Sequence, residues 1–165
     1  MLDQATRYTG MMPTEAHNYL LAEEYGLKFD SFGLDDAWAI GTWLRDYAVE
    51  HDLSIAIAIK LGEQRAFHAA TGSADAENDA WLERKFRIVN RYGHSSLAVR
   101  YDFLANGQAA DEHSDADAEG YAAPGGGFPI RVGLNVIGAI GVSGLEMHED
   151  HALIVKALQE YRGRA

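Results

Sequence analysis

The chain contains no cysteine, which removes disulfides, thiolate metal sites and cysteine nucleophiles together. No apolar run approaches the roughly 20 residues that a membrane helix needs, so no membrane span is expected. The opening stretch, Met1 to Gly10, is polar and lacks the hydrophobic region of a secretory leader, and cytoplasmic residence is the expectation. Positive charge is scarce: 14 Lys and Arg stand against 25 Asp and Glu, a formal net charge of −11. Nonspecific nucleic-acid binding depends on Lys and Arg meeting phosphates, so that class of partner is set aside. No internal repeat is present.

What remains is an ordinary globular composition, 47% hydrophobic, in a length that one domain fills. A single domain over 1–165 is expected, with 1–13 as a flexible N-terminus. "TEAHNYLLAEEY" (14–25) reads as a helix ended by Gly26, and "LKFDSF" (27–32) as a strand. Asp35 and Asp36 open a helix whose stripe is Ala37, Ile40, Leu44 and Tyr47. The period then falls to two: Leu53, Ile55, Ile57 and Ile59 share a face, "LGE" turns the chain, and "QRAFHA" returns. In that second strand, simple alternation puts His68 with Gln64 and Ala66. A helix from Ala76 to Tyr92 stops at Gly93. Beyond it Ser95 can cap a further helix with Leu97, Tyr101 and Leu104; a strand reading also fits, and helix is preferred. Residues 106–127 read as a polar loop, "FPIRV" and "VIGAIGV" as a second hairpin with Pro129 at an edge position or a strand start, and Met147 onward as a last helix. Helices around two hairpins predict an antiparallel sheet with helices packed on it.

Several motifs fail on inspection. "DADAEG" (115–120) starts like a calcium loop, but position 12 is Gly126 where a bidentate Glu is needed. "GVSGL" lacks the final Gly of a nucleophile elbow, which leaves Ser143 as a turn residue. The strand-to-helix junction "GAIGVSG" offers amides to an anion, though closely packed backbone explains it as well. His148 and His151, three apart, share a helix side and with a carboxylate suit zinc or iron; polar residues opening a helix are the plainer reading. Arg84, Lys85, Arg87 and Arg91 fall within one short stretch, and His94 and Ser95 follow the Gly stop. Arg84, Lys85, His94 and Ser95 together suit a carboxylate or phosphate, and a solvated helix face is the alternative.

"NDAWLERKFRIVNRYGHSS", "GGGFPIRVGLNVIGAIGVSGL" and "EDHALIVKAL", with "DDAWAIG" and "FHAA", resemble the GlcG/HbpS-like superfamily of haem-associated domains, and most nearly its haem-degrading-domain branch. The likeness runs over roughly residues 15–162. It implies a profilin-like α/β/α sandwich, an α+β fold around an antiparallel sheet of about five strands, and a homo-oligomer built as a ring or stacked rings. Asp79, Trp81, Arg84, Lys85, His94 and Ser95 match the first block, and Gly127, Pro129, Arg131, Ser143, Asp150 and His151 the later ones. His148 falls outside the motif, which weakens the paired-histidine site. Relatives bind haem, degrade it or bind iron, and one related domain, the PduO C-terminal domain, is attached to a corrinoid adenosyltransferase. The resemblance therefore implies a haem or small anionic ligand held by Asp79, Trp81, Arg84, Lys85, His94, Ser95, Gly127 and Arg131, with Arg84 and Lys85 on the propionates. His94, His68 and His151 are the candidate iron ligands. Two other functions stay open: an enzyme or sensor for a small carboxylate metabolite in the same cationic pocket, and an oligomeric scaffold for protein partners.

Overall fold

The computed structural model describes residues 3–107 and 124–163; the "DADAEG" segment lies outside them. Among the described residues, five α-helices and four strands follow in the order α1 (Pro13–Gly26), α2 (Leu34–Glu50), β1 (Ala56–Leu61), β2 (Gln64–Ala70), α3 (Ala76–Tyr92), α4 (Ser96–Ala105), β3 (Gly127–Val132), β4 (Asn135–Ser143) and α5 (Met147–Gly163). The strands form one antiparallel sheet ordered β2-β1-β4-β3. Among the described residues no helix is long and apolar enough to cross a membrane.

The two faces of the sheet differ in side-chain size, and that difference sorts the helices. Ile55, Ile57, Ile59, Ile140 and Val142 point to one face, where α2 supplies Ala37, Ile40 and Leu44 and α5 supplies Leu153, Ile154 and Leu158. Ala56, Ala58 and Ala139 point to the other, where α3 lays Leu82, Phe86 and Val89. Small residues on that face let α3 sit close: a Cβ on Gly141 would lie 2.9 Å from Leu82 and 3.0 Å from Phe86. The result is an α/β/α sandwich. Helices α1 and α4 form a side layer around Leu20, Leu97 and Ala98.

Two expectations change. Among the described residues the sheet has four strands where about five were expected, because "LKFDSF" contributes a single bridge, Phe29 to Val132, with amide bonds of 2.8 and 3.2 Å. Pro129 does lie on an edge strand, β3. The N-terminal stretch includes a 3-10 turn at Asp3–Thr6 and a buried Tyr8 that packs on Tyr19, Tyr101 and His148. Finally, β2 carries a bulge. His68 stands opposite Ala58 and Arg65 opposite Lys60, so Ala66 is passed over and the alternation shifts phase. His68 therefore shares its face with Arg65, and both reach α3, at Asp79 (2.8 Å) and Glu83 (3.1 Å), while Ala66 turns to the thick core.

Candidate functional site

At the carboxyl end of β4 the chain passes Ser143 and Gly144 and enters α5, opening a cavity of about 780 Å³ against α3 and α4. Its lining includes Trp81 and Lys85 from α3, Arg100 from α4, and Ser143, Leu145, Met147 and Asp150 from the β4–α5 junction. Lys85 and Asp150 sit on apolar stripes, Lys85 among Leu82, Phe86 and Val89, and Asp150 one turn before Ile154. Helix packing thus drives both inward, where each needs the other. Lys85 Nζ donates to Asp150 Oδ2 at 3.1 Å and to the Val142 carbonyl at 2.8 Å, and both side chains are 3% exposed. Asp150 Oδ1 accepts the Leu145 amide at 2.9 Å. The anion received by this glycine-bearing junction is accordingly a side chain of the protein itself. Burial pushes the Asp150 carboxyl up to about 6 against the pull of Lys85. Burial also lowers the Lys85 ammonium, with Asp150 opposing. Gly126, at φ +120°, crosses directly over the pair; a Cβ there would lie 2.4 Å from the Val142 carbonyl and 2.6 Å from Lys85 Nζ. Gly127 packs on Lys85 in the same way and donates its amide to Ser96 Oγ at 3.0 Å.

A second buried charge centre lies at the other end of α3. Glu24 continues the α1 stripe of Ala16 and Leu20, and its side chain is fully buried. Its carboxylate accepts the Ser95 amide at 2.6 Å and Arg131 at 3.1 Å, with His94 Nδ1 at 2.9 Å. Burial alone would raise this carboxyl, but His94, the Ser95 amide and Arg131 hold it below its ordinary value. Arg131 also donates to the Gly93 carbonyl at 2.5 Å and lies 4.6 Å over the Tyr25 ring. The adjacent Glu23 meets His151 Nε2 at 2.7 Å. His151 is buried, and its Nδ1 and Arg131 Nε are the buried side-chain atoms left without a hydrogen-bond partner among the described residues.

The single cationic seat expected from Arg84, Lys85 and His94 is therefore divided. Lys85 and His94 lie nine positions apart, about 13 Å along a helix axis, and each is committed to its own carboxylate. Arg84 stacks on Trp81 at 4.6 Å. Ser95 is buried as the cap of α4, its Oγ accepting from the Ala98 amide. Asp79 holds His68, away from the other two candidate iron ligands, which face α1. His148 turns to Tyr101 (2.8 Å) and Glu146 (2.8 Å). No cluster of three or more His, Asp and Glu suited to a metal ion occurs among the described residues. Glu23, Glu24 and Arg100 were missed as site residues; a charged residue in register with an apolar stripe, as in Ala16–Leu20–Glu24, was the available signal.

Residues 32–159 match the model of the family described as haem degrading protein HbpS-like. A UPF0303 protein of Streptomyces avermitilis is 45% identical over 146 residues, 88% of this chain and 90% of its own. Among solved structures, the Ybr137w protein superposes with a TM-score of 0.82 at 26% identity, covering 99% of this chain and 97% of that one. A PduOC–haem complex superposes at 0.65 and 14% identity, over 78% and 94% of the two chains.

Proposed function

We propose that this chain, which belongs to the HbpS-like family, binds a haem-class tetrapyrrole in the cavity between α3, α4 and the start of α5. The observation that carries this reading is the cavity itself: about 780 Å³, with Lys85 and Arg100 beside Trp81, Leu145 and Met147. Cofactor sites span roughly 300–1,000 Å³ and combine an apolar lining with a few convergent polar groups. Arg100 suits a propionate, and Trp81 with its apolar neighbours suits the face of a macrocycle. The family description and the haem bound to the PduOC protein add support.

The fit extends to the carboxylates and the ring, and less to the iron. Haem iron takes His, Cys, Met or Tyr as axial ligand. Of these types the described lining offers Met147. The reading accordingly assigns binding through propionates, with no step at the metal. Titration of the protein with haem and with metal-free protoporphyrin, followed by absorbance, tests it. Both ligands are expected to bind with similar affinity, and Arg100→Ala to weaken both by roughly ten- to a hundredfold, the worth of a charge-assisted hydrogen bond. Absence of binding by both at micromolar concentration would overturn the reading. Following the haem spectrum over time separates a carrier from a breakdown enzyme.

One observation favours a second reading, a small carboxylate metabolite in the same cavity. Its described lining holds no histidine and much polar surface, with Glu77, Asn78, Ser143 and Glu146 beside the two cations. A thermal-shift series of small organic acids tests it.

A further inference from the structure

Tetrapyrrole binding leaves unexplained why the cavity floor holds an amine against a carboxyl group. Lys85 has three N–H donors; Asp150 and the Val142 carbonyl take two, and Lys85 is among the residues that line the cavity. Asp150 is itself fixed by the Leu145 amide, so its second oxygen is held toward the amine. Gly126 closes the opposite side at a distance that no side chain could occupy. We propose that Lys85 is an imine-forming nucleophile for a small carboxylate bearing a carbonyl group, a 2-oxo acid or aldehyde acid, with Arg100 receiving the carboxylate and Asp150 carrying the proton. The inference rests on the small-carboxylate reading of the cavity and names its substrate class.

The chemistry needs an uncharged amine, and desolvation favours one. Burial lowers the Lys85 ammonium and raises the Asp150 carboxyl, so a proton passing from nitrogen to oxygen leaves a neutral pair in a dry site. The Nζ lone pair then attacks the carbonyl carbon, and the C=O π pair moves to oxygen, which takes the proton from Asp150. The Asp150 carboxylate removes one proton from the new N–H₂⁺ centre. It returns that proton to the hydroxyl, which leaves as water while the nitrogen lone pair closes the C=N bond. Amine, carbonyl compound and the Asp150 proton thus become a protonated imine, water and the Asp150 carboxylate, which stays paired with the iminium; no oxidant or reductant takes part.

Trapping on the intact protein decides the matter, because the chain has four lysines, Lys28, Lys60, Lys85 and Lys156. Glyoxylate followed by borohydride converts an imine to a stable secondary amine, and peptide mass mapping locates it. Lys85, although buried, is expected to carry at least about tenfold more label than each of the other three, a bias worth about 1.4 kcal/mol. Lys85→Arg should lose that label, and Asp150→Asn should slow trapping. Label on the other lysines with Lys85 unmodified overturns the proposal. If acetate or glyoxylate still stabilises the wild type in that case, the binding reading stands and the amine chemistry alone has failed. If neither does, both are refuted.

Discussion

Replacing Glu24 by Gln removes a charge from a position the fold has closed to water. The wild-type carboxylate, fully buried, faces Arg131 at 3.1 Å, His94 at 2.9 Å and the Ser95 amide at 2.6 Å. Glutamine keeps one acceptor for the Ser95 amide but presents an NH₂ to the other two, leaving the buried Arg131 guanidinium without a counter-charge. Breaking one partner of a buried pair costs about 3–5 kcal/mol. For a chain of this length that lowers the melting temperature by roughly 6–20 °C. Urea unfolding of the wild type, Glu24→Gln, Arg131→Met and the double variant forms the cycle. The double variant is expected to cost at least about 2 kcal/mol less than the sum of the singles, because the second change removes the stranded charge. The acid limb gives an independent check. Glu24 titrates below its unfolded value of 4.5, so its stabilisation is present above that pH and is lost as pH falls through the folded value. Glu24→Gln should lack that contribution. A single-variant cost under about 0.5 kcal/mol, in the range of ordinary surface changes, would refute the reasoning.

Asp150 behaves with the opposite sign. Its folded value of about 6 lies above the ordinary value of 3.8, so the folded state holds the proton more tightly and stability falls as pH rises between them. The full change is about 3 kcal/mol at 1.36 kcal/mol per unit; stability measured from pH 4 to 7 should show the decline, and Asp150→Asn should flatten it. A homo-oligomer is also expected, because Trp38 is 66% and Leu134 84% exposed and aromatic side chains are enriched at interfaces. Light scattering that returned an 18.1 kDa particle at micromolar concentration would count against it.

The helices and hairpins were legible because their signals are local. The stripe Ala37–Ile40–Leu44, the stop at Gly93 and the Ser95 cap all depend on residues within a few positions of each other. What the sequence hid is set by pairing across long separations. Ala66 looks like any strand residue until its partner strand passes it over, and only then does His68 change sides. Arg84 and Lys85 are neighbours in the chain, yet about 100° of helix rotation sends one over Trp81 and the other into the core. The carboxylates that claim Lys85 and His94 lie 65 and 70 residues away. A basic run read alone suggests a vacant anion seat; the acids that fill it come from α1 and α5.

The helix α1 also bears on how the molecule can be cut. The stretch that matches the family begins at residue 32 and ends at 159, inside the ionic closures on both sides. A fragment trimmed to those limits would discard Glu23 and Glu24 while keeping His151, His94 and Arg131, the side chains that they hold. It would also drop Tyr161, which donates a hydrogen bond to Asp36 at the opening of α2. The boundaries by which such a domain is recognised are therefore narrower than those within which its charges balance, and fragments meant for crystallisation or fusion need α1 and the last turn of α5.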